Sequence, residues 1–245
     1  VVQEMGEASQ EIFSGIVEKP VIKELYAETA AFFAEIIRSK LHTRDEPYKM
    51  LDVGSFKGDL VKSIIAELGE SYKIHATGID INEKALAENT AVDEKVVADI
   101  ASMPFNDDSF DFSETRYVLA WNNPEKQKQI LQEINRVSKK FAIIQHAGAD
   151  NSETRAWQEK MHCPLQGGVQ KLKRQECYFS SSYQIEEWMQ QLGINFNRVQ
   201  DRRIDQVSRV FIERFKLDEK EAKNTIDILG SMDYIYQTSW VIKDI

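Results

Sequence analysis

From Pro20 onward apolar residues recur at spacings of three and four. Ile22, Leu25, Tyr26, Phe32, Phe33, Ile36, Ile37 and Leu41 predict one amphipathic helix ending at about Leu41. A polar break, HTRDEP, precedes a short apolar run that predicts a first strand at about 49–54. Helix-like and strand-like stretches then alternate. Helices are expected near 57–69, 82–89 and 124–138, and strands near 73–79, 95–99, 110–116 and 140–146. Residues 147–193 break this rhythm, with two helix-like pieces flanking Gly167 and Gly168 and an aromatic-rich segment, YFSSSYQIEEW. Alternation returns with a strand near 195–203, a helix near 218–229 and a last strand near 234–243.

Alternation of this kind predicts an α/β fold. The expected architecture is a doubly wound, Rossmann-like, mostly parallel seven-stranded sheet with an antiparallel last strand. The chain reads as one domain over 1–245. It divides into a helical cover at 1–47, a ligand-binding core at 48–146, a substrate-side insertion after the fifth strand at 147–193, and C-terminal strands and helix at 194–245.

In such sheets ligands bind beyond the carboxyl ends of the strands. The first strand runs into LDVGSFKGDL, in which Gly54 and Gly58 bracket a turn into a helix beginning with Leu60 and Val61. Glycines there let the backbone approach a ligand closely. The next two strands end near Asp80 and Asp99. A carboxylate at the second strand end can accept from both ribose hydroxyls, and one at the third can accept from an adenine amino group with Ile100 or Met103 against the base. The turn lacks the G-x-G-x-x-G of a dinucleotide site and the G-x-x-x-x-G-K-[ST] of a phosphate loop. Asp52 would repel a pyrophosphate and suits a ligand bearing an amine or sulfonium, which favours S-adenosylmethionine (SAM) over NAD or ATP.

With these residues in place, LDVGSFKGDL resembles the first motif of class I SAM-dependent methyltransferases, D-x-G-x-G-x-G, and GIDIN resembles their acidic second motif. ADIASMPFNDDSFDF is similar to the D-x-x-x-[ML]-P-F-x-D-x-S-F-D pattern of the small-molecule, type 11-like branch. ILQEINRVSKKFAII resembles the helix and fifth strand that follow, without the usual proline-glycine turn. The resemblance spans roughly 48–146. It implies a SAM-dependent methyltransferase that yields S-adenosylhomocysteine. It places Asp52 at the methionine end of the cofactor, Gly54, Ser55, Phe56 and Gly58 in the close-approach turn, Asp80 and Ile81 at the ribose, Asp99 and Ile100 at the adenine, and Thr115 and Arg116 facing cofactor and substrate. Two departures stand out: Phe56 replaces the middle glycine, and Glu114 occupies a strand position that is usually apolar. A buried carboxylate there needs a partner: either it pairs with Arg116 or it reaches the active site.

His146 closes the fifth strand and is the candidate general base, against a structural, hydrogen-bonded histidine. Tyr117, Trp121 and His162 are candidate substrate-lining residues, other aromatics being core candidates. The basic run Lys171, Lys173 and Arg174 could bind an anionic group or form a solvated face. His162, Cys163 and Cys177 match no zinc spacing, so no metal is expected.

Bulk properties narrow the partners. Of 245 residues 42% are hydrophobic and 29% charged, and the formal charge of −9 disfavours bulk nucleic-acid binding. Two cysteines, no secretory-signal pattern and no bilayer-length apolar run predict a cytoplasmic protein without membrane contact. The reading is methyl transfer to oxygen or nitrogen of a small-molecule acceptor. A nucleic-acid or protein methyltransferase is the alternative, although the fourth strand ends in SETRY rather than N/D-P-P-Y. A catalytically inactive SAM-binding regulatory protein is a second alternative, motivated by Phe56.

Overall fold

The computed structural model describes residues 20–148, 180–205, 218–220, 222–223 and 234–243. In chain order these form α1 (Pro20–Lys40), β1 (Tyr48–Val53), α2 (Asp59–Leu68), β2 (Ile74–Asp80), α3 (Glu83–Glu88), β3 (Glu94–Val97), β4 (Phe110–Arg116), a 3-10 turn (Leu119–Trp121), α4 (Pro124–Val137), β5 (Ser138–Gly148), α5 (Ser182–Gln191), β6 (Phe196–Asp205) and β7 (Tyr234–Ile242). Of the helix expected near 218–229, residues 218–220 and 222–223 are described, and 219–220 and 222–223 are helical.

The seven strands form one sheet in the order β3-β2-β1-β4-β5-β7-β6. The first five are mutually parallel, and β7 slots antiparallel between β5 and β6. The strand order reverses between β1 and β4, the position at which doubly wound sheets open a crevice for a ligand.

Side chains alternate across the sheet. On one face Met50, Ala76, Phe112, Phe141, Ile143 and Val241 pack against Phe33 and Ile37 of α1 and Leu60, Val61 and Ile64 of α2. On the other, Leu51, Val53, Ile79, Ala142 and Ile144 pack against Ile130, Leu131 and Ile134 of α4 and Ile185, Trp188 and Met189 of α5. Thus α5, which falls inside the stretch read from sequence as an insertion, is the crossover helix between β5 and β6. Likewise α1 is a layer of the sandwich, and its N-terminal half alone reaches the carboxyl end of the sheet.

Local signals set the helix starts. Asn82, Asn123 and Ser181 accept from the backbone N–H of Ala85, Lys126 and Gln184, and Pro124 opens α4 where no amide donor is needed. The missing turn between α4 and β5 has a replacement. Ser138 ends the helix and begins the strand, its hydroxyl donating to the Ile134 carbonyl at 2.7 Å and lying 2.5 Å from Ser113 Oγ.

Phe112 and Phe141 stack in the core with ring centroids 5.4 Å apart and planes 10° apart. Phe112→Ala is expected to cost about 3–5 kcal/mol of stability, read from urea unfolding, because the close-packed site cannot collapse around the void. A loss below about 1 kcal/mol would contradict this packing.

Candidate active site

The carboxyl ends of β1, β2 and β4 converge on the turn between β1 and α2. Gly54 has φ +77° and donates its N–H to the Ile79 carbonyl at 2.9 Å, and Ser55 donates to the same oxygen at 3.0 Å. A Cβ on Gly54 would lie 2.2 Å from Val118 Cγ2, so glycine is required twice, by conformation and by space. Gly58, at φ +77°, caps α2, and a Cβ there would meet the Asn89 amide at 2.1 Å.

Phe56 shows how this chain does without the middle glycine. Its φ of 47° is left-handed, the conformation glycine would supply freely. The Phe56 N–H donates to Asp80 Oδ2 at 2.9 Å, while Asp80 Oδ1 accepts from the Asn82 N–H at 2.8 Å. The end of β2 therefore clamps the turn. Burial pushes the Asp80 carboxyl up, against the backbone N–H groups that favour its anion. A carboxylate offers about four acceptor sites, so Asp80 retains capacity for a ligand hydroxyl.

Asp52 and Glu114 are directly opposite on adjacent parallel strands and point to the α1–α2 face. Both are buried, at 5% and 1% exposed. Ser55 Oγ donates to Asp52 Oδ2 at 2.5 Å and receives the Asn89 amide N–H at 2.8 Å. Beside Asp52 on β2 stands Gly78, where a Cβ would crowd Ser55 Oγ at 2.6 Å. Burial raises the Asp52 carboxyl to about 6, opposed by hydrogen bonds from Glu114 and Ser55. Burial, then the Asp52 charge, pushes Glu114 well above the carboxylate range, and Arg116 offsets only part of this. No donor reaches either Glu114 oxygen among the described residues, although Asp52 lies directly opposite on β1.

Asp99 Oδ1 accepts from the Ala101 N–H at 2.9 Å, and Oδ2 lies 2.8 Å from Lys126 Nζ of α4. Despite the penalty of partial burial, the Lys126 bond and the Ala101 N–H hold this carboxyl below its usual range. Ile100 is half-buried and Ile81 exposed, whereas Met103 is buried in the core. Arg116 points along the Asp52–Glu114 face, its guanidinium between the Tyr26 ring of α1 at 4.7 Å and the Tyr117 ring at 4.5 Å, with Nε donating to Gln145 Oε1 at 3.0 Å. Thr115 points to the opposite face, buried, with its hydroxyl donating to the Val53 carbonyl at 2.9 Å. Tyr117, at φ 61°, and Trp121, at the end of the 3-10 turn, are half-buried.

His146, the candidate base or structural histidine of the sequence, lies two residues before the end of β5. It is fully buried, with Nε2 3.0 Å from the Ser180 carbonyl, an arrangement that ties β5 to the entry of α5 and suits a structural imidazole. His162, Cys163, Cys177 and the basic run at 171–174 lie outside the described residues. Among the described residues no group of three or more histidines, cysteines or acids is placed to hold a metal ion. The residues that sequence reasoning overlooked are Asn89, Lys126, Gln145 and Tyr26. All act through another side chain, and no motif flags them.

Residues 51–144 match the family profile described as methyltransferase domain. They form a class I SAM-dependent methyltransferase domain. No curated protein matches the chain in sequence at a significant level. Solved structures do. The YcgJ protein of Bacillus subtilis aligns over 89% of this chain and 99% of its own at 14% identity and a TM-score of 0.63. A magnesium protoporphyrin IX methyltransferase of Synechocystis, solved with bound SAM, aligns over 96% and 89% at 11% identity and a TM-score of 0.56. A geranyl diphosphate C-methyltransferase of Streptomyces coelicolor, in complex with Mg2+, geranyl diphosphate and S-adenosylhomocysteine, aligns over 88% and 80% at 11% identity and a TM-score of 0.58.

The methyltransferase uses SAM as its cofactor. The site fits that molecule: three carboxyl groups, Asp52, Asp80 and Asp99, stand at successive strand ends, a charge pattern that attracts a cation and repels a polyphosphate.

Two outcomes follow from this geometry. Gly54→Ala should lower stability by about 1–3 kcal/mol from the left-handed backbone alone. Adding Val118→Ala should return part of the steric loss, and differential scanning fluorimetry of the single and double variants checks both. The pH dependence of stability carries a definite sign. Glu114 is raised in the folded state, so it contributes stability that is full below its ordinary value of 4.5 and lost as pH rises toward the folded value. Glu114→Gln should therefore gain stability relative to the wild type as pH increases above about 4.5, measured by denaturation at several pH values.

Proposed function

We propose that this methyltransferase carries the SAM methyl group to an oxygen or nitrogen of a small-molecule acceptor in the cytoplasm. The observation that supports this most is the position of α1. Its Tyr26 stacks on Arg116, so the N-terminal half of α1 covers the carboxyl end of β4, an arrangement we read as favouring a small acceptor over a bulky polymer. The β4 end itself, SETRY, carries no N/D-P-P-Y element for holding a flipped base. Among the described residues no helix is long and apolar enough to cross a membrane.

In this reading Asp80, with Ile81 beside it, holds the ribose. Asp99 takes the adenine amino group and Ile100 the base face. The turn from Gly54 through Ser55 and Phe56 to Gly58 lies along the amino-acid end, with Asp52 as its negative charge. The cofactor, when bound, supplies an electrophilic methyl on a sulfonium. The protein's task is then positioning: holding an acceptor atom in line at near-attack distance removes an entropic barrier of roughly 7–11 kcal/mol. In the same reading Tyr117, Trp121 and Arg116 line the acceptor side. His146, buried against Ser180, is a poor candidate for a base, so an acceptor that is already nucleophilic at neutral pH fits best.

Isothermal titration with SAM and S-adenosylhomocysteine tests the cofactor assignment. Asp80→Ala should weaken both by about 10–100-fold, the worth of one or two charge-assisted hydrogen bonds. Methyl transfer from radiolabelled SAM to a small-molecule panel, with total RNA and protein extract as comparators, tests the acceptor class. Label incorporated only into RNA or protein would overturn it.

A further inference from the structure

Glu114 is one of the least expected residues in this chain. It lies in the middle of the sheet, 1% exposed, between β1 and β5, where register pairs it with Asp52 on one side and Ile143 on the other. An unpaired buried anion at that place would be heavily penalised. Among the described residues the ionisable groups that act on it can be named. Asp52 and, beyond it, Asp80 approach from β1 and β2, and Arg116 lies two residues along β4. The core cluster on that face of the sheet is apolar, with Ala30 and Phe33 from α1 and Leu60 and Val61 from α2 among its members. Three acids thus share one cation, and Arg116 is already engaged by Gln145 and held between two tyrosine rings. Asp52 in turn is polarised by the Ser55 hydroxyl, which the buried Asn89 amide fixes. One proton held between Asp52 and Glu114 satisfies this arrangement, and Glu114, which lacks any other donor, is its carrier.

We propose that Glu114 is a positioning residue of the cofactor site: it retains its proton and donates it in a hydrogen bond to Asp52, which keeps Asp52 ionised for the cationic end of SAM. The inference rests on the SAM reading of the site. It deepens that reading by assigning a role to a β4 residue that no motif covers. Glu114 touches no ligand itself. Its effect is to let a carboxylate persist in a desolvated place, where Asp52 alone would take up a proton near neutral pH.

Two variants separate this from a structural role. Glu114→Leu replaces the acid with an apolar side chain of similar volume and removes the donor, leaving the buried Asp52 to take up a proton itself, and thermal unfolding checks that the variant is folded. Glu114→Gln keeps an N–H donor. SAM affinity is measured by titration calorimetry between pH 5.5 and 8.5, with thermal unfolding in parallel. The expected result is a wild-type affinity that falls as pH drops through about 6. Glu114→Gln should follow the same curve. Glu114→Leu should have its midpoint at higher pH, with affinity at about pH 7 approaching a roughly tenfold reduction for every pH unit by which that midpoint rises above about 7. A Glu114→Leu protein that binds SAM with the wild-type pH profile overturns the proposal.

A second measurement needs no ligand and does not depend on the leucine variant. At pH 7 the infrared difference between wild type and Glu114→Gln should contain the carbonyl band of one protonated carboxyl group. Its absence also overturns the proposal. Failure of the wild type to bind SAM at any pH overturns the cofactor reading instead, while the infrared band still reports on the acid pair.

Discussion

The hydrogen bond from the Phe56 N–H to Asp80 joins the β1–α2 turn to the end of β2, and the candidate site depends on it. A turn that must run close to a ligand cannot be braced by bulky side chains. Here it is braced from below by acceptors on neighbouring strands: the Ile79 carbonyl takes the N–H groups of Gly54 and Ser55, and Asp80 takes that of Phe56. A left-handed backbone at a phenylalanine costs energy that glycine would avoid. The carboxylate offsets this by holding the amide in a charge-assisted bond.

The same economy extends behind the turn. Gly78 leaves space for Ser55, Ser55 polarises Asp52, Asn89 fixes Ser55, and Gly58 leaves space for Asn89. Each step is a small residue making room for a polar group, or a polar group satisfying another where water is excluded. The result is a buried polar layer on one face of a sheet that is otherwise apolar, and it stands beside the crevice where β1 and β4 diverge. On the far side of the sheet Leu51, Val53, Ile144 and Trp240 form a dry core with α4 and α5. Stability and chemistry are thereby assigned to different regions of one sheet.

Sequence identities of 11–14% to structures aligned over most of this chain show how little of the fold needs particular residues. Strand alternation, helix caps and one tight turn suffice to define it. Chain-specific features therefore fall where a local rule is broken. Phe56 and Glu114 are both of that kind, and each is compensated by a neighbouring carboxyl group, Asp80 for one and Asp52 for the other.

By itself the sequence determined the elements and their order, because helical and strand periodicities, Asn and Ser caps and glycine turns are local effects. It also determined which strand ends carry Gly54, Asp80 and Asp99, since topology follows from alternation. It could not decide what those side chains do. That Asp99 meets Lys126, that His146 is shut against Ser180, that Thr115 and Arg116 lie on opposite faces, and that α5 belongs to the sandwich are consequences of long-range packing. The partner anticipated for Glu114 was Arg116 on its own strand. Tertiary structure set it opposite Asp52 as well, because parallel register places residues 52 and 114 side by side in a layer from which water is excluded, where each acid disfavours ionisation of the other.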